Sequence, residues 1–289
     1  MTVLPTHVGV LGGGRMGAGI AHAFLLAGSR VTIVERDRQA ADAAATRVRV
    51  DVERSIAHDR GRGSNGAQAA DAVAALAVAT DASAFADCPL VVEAVPEDRA
   101  LKTASLERAE SAMPPDGILA SNTSSISIDD LARGLRRPRR FLGLHFFNPV
   151  PASLLVEIVA GAETDTDVVA RAREGVTALG RTPVVVRDAP GFASSRLGVL
   201  LGLEAIRMVE EGVATPEDID AAMVLGYRHP LGPLRTTDLV GLDVRLGIAE
   251  ELHARVGERF APPALLRRMV AEGRLGRKSG RGFYEWSDE

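Results

Sequence analysis

The chain has 289 residues, 46% hydrophobic and 25% charged, with a net charge of −4 and a pI near 5.9. That balance suits a globular protein of two domains with a substantial core and gives no electrostatic reason to expect a nucleic-acid or anionic-membrane partner. Its one cysteine, Cys88, excludes an intramolecular disulfide, and no apolar run approaches the ~18 residues of a membrane span.

The chain enters an apolar run at His7 with no signal-peptide pattern before it, which makes the cytoplasm the expected compartment. Up to about Arg187, short β-branched runs alternate with longer Ala-rich amphipathic stretches, the pattern of βαβ units on a mainly parallel sheet. The runs predict strands over 7–11, 30–35, 76–80, 89–93, 118–121, 141–147, 154–159 and 182–187, with helices in most of the gaps. Gly61-Arg62-Gly63-Ser64-Asn65-Gly66 breaks the long helix after Asp37 and predicts a tip between two helical stretches, an excursion from the sheet. Cys88, followed by Pro89-Leu90-Val91-Val92, reads as a packed thiol, and the run Arg136, Arg137, Arg139, Arg140 as a solvated loop.

Asp188-Ala189-Pro190-Gly191 marks a boundary and divides the chain into domains 1–187 and 188–289. The second domain reads as all helical: 194–211, a helix capped by Thr215 and opened by Pro216, then 240–253 and 263–272 before a Gly-rich tail over 275–283.

Gly12-Gly13-Gly14-Arg15-Met16-Gly17 satisfies G-x-G-x-x-G between a predicted strand and a predicted helix. Glycines there permit a tight turn and let the helix N-terminus approach a pyrophosphate, so Gly12, Gly14, Arg15, Met16 and Gly17 are candidate dinucleotide contacts on a Rossmann-type domain. Glu35 ends the second strand, where an acid takes the adenosine ribose hydroxyls and repels a 2′-phosphate. This favours NAD over NADP, although Arg36 and Arg38 follow directly. Further on, a Ser121-Asn122-Thr123-Ser124-Ser125 cluster precedes His145, and Glu157 is a lone acid within an apolar run. A histidine and an acid planted among buried residues must find each other or be desolvated unpaired. The pair offers an oriented base beside a nicotinamide cofactor, which favours that cofactor over a flavin.

These motifs, with 91–97, 143–149, Pro190-Gly191-Phe192 and Gly280-Arg281-Gly282-Phe283-Tyr284, resemble the L-3-hydroxyacyl-CoA dehydrogenase family along the whole chain, in particular its 3-hydroxybutyryl-CoA dehydrogenase branch. The resemblance implies His145 as catalytic base, Glu157 as the acid that orients it and Ser124 as the hydroxyl that binds substrate oxygen. It also implies Glu97, Lys102, Asn148 and Lys278 as cofactor contacts, Ser55 and Arg62 near the CoA moiety, an acyl-CoA substrate, and a homodimer through the helical domain. Ser195 takes the place where the family commonly has a substrate-contacting asparagine, and either meets substrate or, like Ser194, caps the helix. Two other readings fit the same residues. One is a dehydrogenase of another 3-hydroxy acid: a sugar acid, hydroxyadipyl-CoA or a carrier-bound hydroxyacyl group. The other is a crystallin-like protein that binds the dinucleotide without turnover.

Overall fold

A computed structural model describes residues 4–59 and 66–286, with backbone alone for 58–59 and 66–69. Internal contacts divide the chain into two units, Met1–Ala189 and Pro190–Glu289.

The first unit carries eight strands: β1 (His7–Leu11), β2 (Arg30–Val34), β3 (Leu76–Ala79), β4 (Leu90–Glu93), β5 (Ile118–Ser121), β6 (Phe141–Phe146), β7 (Leu155–Ala160) and β8 (Thr182–Arg187). They form one sheet in the order β3-β2-β1-β4-β5-β6-β7-β8. All neighbours are parallel except β6 and β7. Its helices are α1 (Arg15–Leu26), α2 (Arg38–Asp59), α3 (Gly66–Ala74), α4 (Arg99–Ala112), α5 (Ile128–Ala132) and α6 (Thr166–Ala178). A parallel sheet covered on both faces needs apolar residues at nearly every strand position, which is why β1, β2 and β4 are rich in Val, Ile and Leu. Val10, Ile33, Val92 and Ile158 pack with Ile20 and Phe24 of α1 and Val48 of α2. Burial of each such side chain contributes about 1.5–3 kcal/mol. Cys88 is fully buried, and burial pushes its thiol up to about 12, as expected of a packed thiol.

The expected solvated arginine loop holds for Arg136 and Arg139, whose side chains are exposed, while Arg137 and Arg140 form a clasp. Arg137 donates to the carbonyl oxygens of Pro114 and Glu110, while the Glu110 carboxylate accepts the backbone N–H groups of Arg136 and Arg137 at 2.9 and 2.7 Å. Arg140 donates to Gly117 O at 3.1 Å. Together these bonds hold the connection between α4 and β5 against the start of β6. A charge run is solvated only when no orphan carbonyls lie within reach, a condition set by tertiary structure.

The second unit holds α7 (Ser194–Glu210), α8 (Pro216–Ala221), α9 (Pro233–Val240), α10 (Leu242–Val256) and α11 (Ala264–Ala271) around Leu203, Ile206, Leu234, Leu252 and Leu266. Thr215 caps α8 by accepting from Asp218 N, with Pro216 in the first turn, as the sequence predicts. The helix expected over 240–253 differs: Gly241, at φ +102, separates α9 from α10, and α9 was not foreseen. Asp220 of α8 starts α9 by accepting the N–H groups of Leu234 and Arg235, each at 2.8 Å. Asp238 fastens the Gly-rich tail through Phe283 N, Tyr284 N and Trp286 Nε1.

Arg245 of α10 is 5% exposed and packs against Gly198 and Gly202 of α7. Its Nε has no hydrogen-bond partner among the described residues, and burial pushes the guanidinium down to about 10. Arg245→Met is therefore expected to stabilise the fold by about 1–4 kcal/mol, the range seen when buried ionic groups give way to apolar side chains of similar volume. Urea unfolding of the two proteins checks this, and a lower midpoint in the variant would contradict it.

A second prediction concerns acid stability. His22 of α1 is buried with its Nε2 2.9 Å from Ser55 Oγ of α2. Burial lowers its pKa below 6.5, Arg181 adding to this and Asp51 opposing it. The folded value lies below the unfolded one, so the stabilisation is full above the unfolded value and is lost as pH falls from 6.5 through the folded value. His22→Gln is expected to flatten the fall in Tm between neutral and mildly acidic pH. Identical slopes in the two proteins would refute the assignment.

Candidate active site

The carboxyl ends of the parallel strands β1, β2, β4, β5 and β6 open on one cleft of about 1000 Å³. This is where open α/β sheets place their ligands. Gly12 follows β1 at φ +91, and a Cβ there would lie 3.2 Å from the Ala94 carbonyl group, so only glycine turns the chain. Gly17 lets α1 rest on that turn: its Cβ would fall 1.8 Å from Gly12 O. At the cap of α1 stands Gly14, where a Cβ would meet nothing within 4 Å and no side chain bonds the first N–H groups of the helix. The result is an open helix N-terminus that fits a pyrophosphate.

Glu35 follows β2 and lines the same cleft, as do Gly12, Gly14, Arg15 and Met16. Its Oε1 accepts from Gly13 N at 2.6 Å. Arg36 and Arg38 pair with Asp37 and Asp42, each at 3.1 Å, so both guanidinium groups have acids of their own.

His145 reaches the cleft from the end of β6. In the antiparallel pairing of β6 with β7, His145 and Glu157 are direct register partners, which explains their spacing of twelve residues. His145 Nδ1 lies 2.8 Å from Glu157 Oε2, with both side chains buried, and the His145 ring packs 4.4 Å from that of Phe147. In the tautomer with Nδ1 protonated, Nδ1–H donates to the Glu157 carboxylate, which orients the ring.

Glu97, Lys102, Ser124 and Asn148 line the cleft as well. Glu97 Oε1 accepts from Thr123 Oγ1 at 2.6 Å, Ser124 N at 2.9 Å, Ser125 N at 3.1 Å and Ser125 Oγ at 3.0 Å. Burial alone would raise the Glu97 carboxyl, but the Lys102 charge and these donors outweigh it and hold its pKa below the ordinary value. Lys102 is 1% exposed and lies between two acids, 2.7 Å from Glu93 Oε1 and 3.3 Å from Glu97 Oε2.

Of the remaining candidates, Ser55 is bonded to His22 and is not among the residues lining the cleft, and Arg62 lies outside the described residues. Ser195 and Lys278 belong to the helical unit. Ser195 is the second residue of α7, whose cap position is Ala193, so neither Ser194 nor Ser195 is the cap. Lys278 Nζ lies 2.6 Å from Asp243 Oδ2. Two residues that the sequence reading passed over also build the site. Asn122 Oδ1 accepts Phe146 N at 2.8 Å and ties the exit of β5 to β6. Glu93, a lone acid closing an apolar strand, carries the same signal that exposed Glu157. Among the described residues no cluster of His, Cys, Asp or Glu is placed to hold a metal ion, and no helix is long and apolar enough to cross a membrane.

Residues 7–189 match the family model for the 3-hydroxyacyl-CoA dehydrogenase NAD binding domain, and residues 191–286 match that for the 3-hydroxyacyl-CoA dehydrogenase C-terminal domain. A Mycobacterium tuberculosis protein named 3-hydroxybutyryl-CoA dehydrogenase is 45% identical over 291 residues, covering 97% of this chain and 98% of that one. A Deinococcus radiodurans protein named probable 3-hydroxybutyryl-CoA dehydrogenase is 41% identical over 281 residues, 96% of this chain and 99% of that one. The crystal structure of (S)-3-hydroxybutyryl-CoA dehydrogenase from Ralstonia eutropha aligns with a TM-score of 0.92 at 37% identity, covering 98% of this chain and 100% of that one. A glycine turn fit for a dinucleotide and two family domains end to end make this chain a member of the 3-hydroxyacyl-CoA dehydrogenase family, an NAD-dependent oxidoreductase.

Proposed function

We propose that the protein interconverts short-chain (S)-3-hydroxyacyl-CoA and 3-oxoacyl-CoA, 3-hydroxybutyryl-CoA foremost, with His145 as general base and acid. The observation that carries this reading is the buried His145–Glu157 pair at the mouth of a dinucleotide cleft. The names of the relatives support the short acyl chain.

When bound, NAD supplies a nicotinamide C4 that accepts hydride. His145 Nε2 takes the hydroxyl proton of the substrate as hydride leaves its carbon, and returns it in the reverse direction. Glu157 keeps the ring in one tautomer and stabilises the imidazolium that forms. The Ser124 hydroxyl donates to the substrate oxygen, and Glu97 and Asn148 hold the nicotinamide half of the cofactor. The family resemblance supports the further roles: Lys102 and Lys278 toward the cofactor, Ser195 toward substrate, Ser55 and Arg62 toward CoA. We read the chain as a cytoplasmic homodimer joined through its helical unit. What supports the dimer is the exposure there of Leu197, Leu225 and Tyr227, 67%, 81% and 75% accessible.

His145→Gln is expected to keep NADH binding and to lower kcat by about 10²- to 10⁴-fold, the usual worth of a general base. Steady-state kinetics with acetoacetyl-CoA and NADH checks this, and near-normal turnover would remove the assignment. Glu35→Ala is expected to narrow the preference for NAD over NADP by removing the charge that repels a 2′-phosphate. A wild-type protein that already favours NADPH in kcat/KM would contradict the role of Glu35.

A further inference from the structure

Glu93 closes β4 fully buried, and the proton and hydride steps leave it without a task. Its Oε1 accepts from Lys102 Nζ and from Val95 N, each at 2.7 Å, and its Oε2 accepts from Ser121 Oγ at 2.5 Å. Ser121 Oγ also accepts Thr123 N at 3.2 Å, so the hydroxyl bridges Glu93 and the start of the 123–125 loop. Burial pushes the Glu93 carboxyl upward in pKa, with Lys102, Ser121 and Val95 N opposing. Three donors converging on two oxygens define a site built for the carboxylate.

Lys102 is the member shared with the cleft. Its ammonium faces Glu93 on one side and Glu97 on the other, and also donates to Val95 O at 3.1 Å. The two acids have different second tasks: Glu93 ties the ends of β4 and β5 together, while Glu97 gathers the donors of residues 123–125. Were the charge of Glu93 lost, the buried ammonium would have only Glu97 as counter-ion among the described residues. Removing one partner leaves a buried charge uncompensated, which is costly and favours closer pairing with the acid that remains. Glu97 would then move toward Lys102 and release Ser124 and Ser125.

We propose that Glu93 is a positioning residue for the dehydrogenase reaction, its charge balancing Lys102 so that Glu97 stays with the 123–125 loop and Ser124 keeps its place in the cleft. The inference rests on the reading of Ser124 as the donor to substrate oxygen. It assigns Glu93 a role through charge, where a packing role would act through shape, and the two are separable. Gln keeps the shape of Glu93 without the charge; Asp keeps the charge without the shape.

With acetoacetyl-CoA and NADH, Glu93→Gln is expected to lower kcat/KM roughly tenfold to 10²-fold, the cost of displacing a reacting group by about an ångström, and Glu93→Asp by less. Combining Glu93→Gln with Lys102→Met removes the ammonium and its counter-charge together, so the double variant is expected to lose less than the product of the two single losses. NADH fluorescence titration shows whether each variant is folded and holds cofactor. If Glu93→Gln does not bind NADH, the double variant measured against Lys102→Met carries the test: equal or higher activity upholds the inference, and a further loss of about tenfold overturns it. A Gln variant more active than the Asp variant, or strictly multiplicative losses, also overturns it. Failure of the underlying reading looks different: Ser124→Ala in otherwise wild-type protein would turn over acetoacetyl-CoA at the normal rate.

Discussion

The proposed proton chemistry depends on one pairing register. Between β6 and β7, His145 stands opposite Glu157, while Leu144 and Phe146 meet Ile158 and Val156. Those four apolar residues belong to the buried core with α1 and α6. Side chains alternate between faces of a sheet, so a slip of one residue would carry the apolar set off the face that packs on α1 and α6 and part the histidine from its acid in a single step. The register is therefore held by the burial of its flanking residues, and the hydrogen bond between His145 and Glu157 inherits that stiffness. This is how two polar groups with little solvent contact are kept within 2.8 Å.

The parallel part of the sheet does the rest by direction alone. Because β1, β2, β4, β5 and β6 run the same way, their exits fall along one edge, and polar residues collect where the demand for two apolar faces ends. Glu93, Ser121 and His145 close or nearly close their strands, and Asn122 bonds back to Phe146 N across the gap. Each of these groups would be costly within a strand interior and is satisfied at its end. Reversing β7, and β8 with it, brings Glu157 into this edge from the opposite direction, which a strand parallel to β6 at that place would not do.

The elements were legible wherever local chemistry set them. Eight apolar runs became eight strands, and Thr215-Pro216 opened a helix, because apolar runs, caps and turns act over a few residues. The sequence reading failed where a distant side chain decides. The start of α9 is written in Asp220, fourteen residues before Leu234, and the break at Gly241 has no neighbour in sequence to announce it. The arginine run looked solvated because Glu110 and the carbonyl oxygens it meets belong to another element. The site was more legible than the helical unit for the same reason: a glycine turn and a lone acid in an apolar run are short-range signals, whereas the helix cap at Ala193 carries none.

Glu93 and Glu157 solve one problem in two ways. Both are acids set into apolar strands, and both are kept by a buried basic partner. The difference lies in that partner. An imidazole exchanges protons readily near neutral pH, so an acid beside it tunes a reaction; a lysine side chain is ordinarily a fixed charge, so an acid beside it fixes geometry. In the proposed mechanism one buried acid thereby serves the proton, and the other serves the place where the substrate must lie. Both lie toward one edge of the sheet, Glu93 at the end of β4 and Glu157 near the start of β7, with β5 and β6 between them.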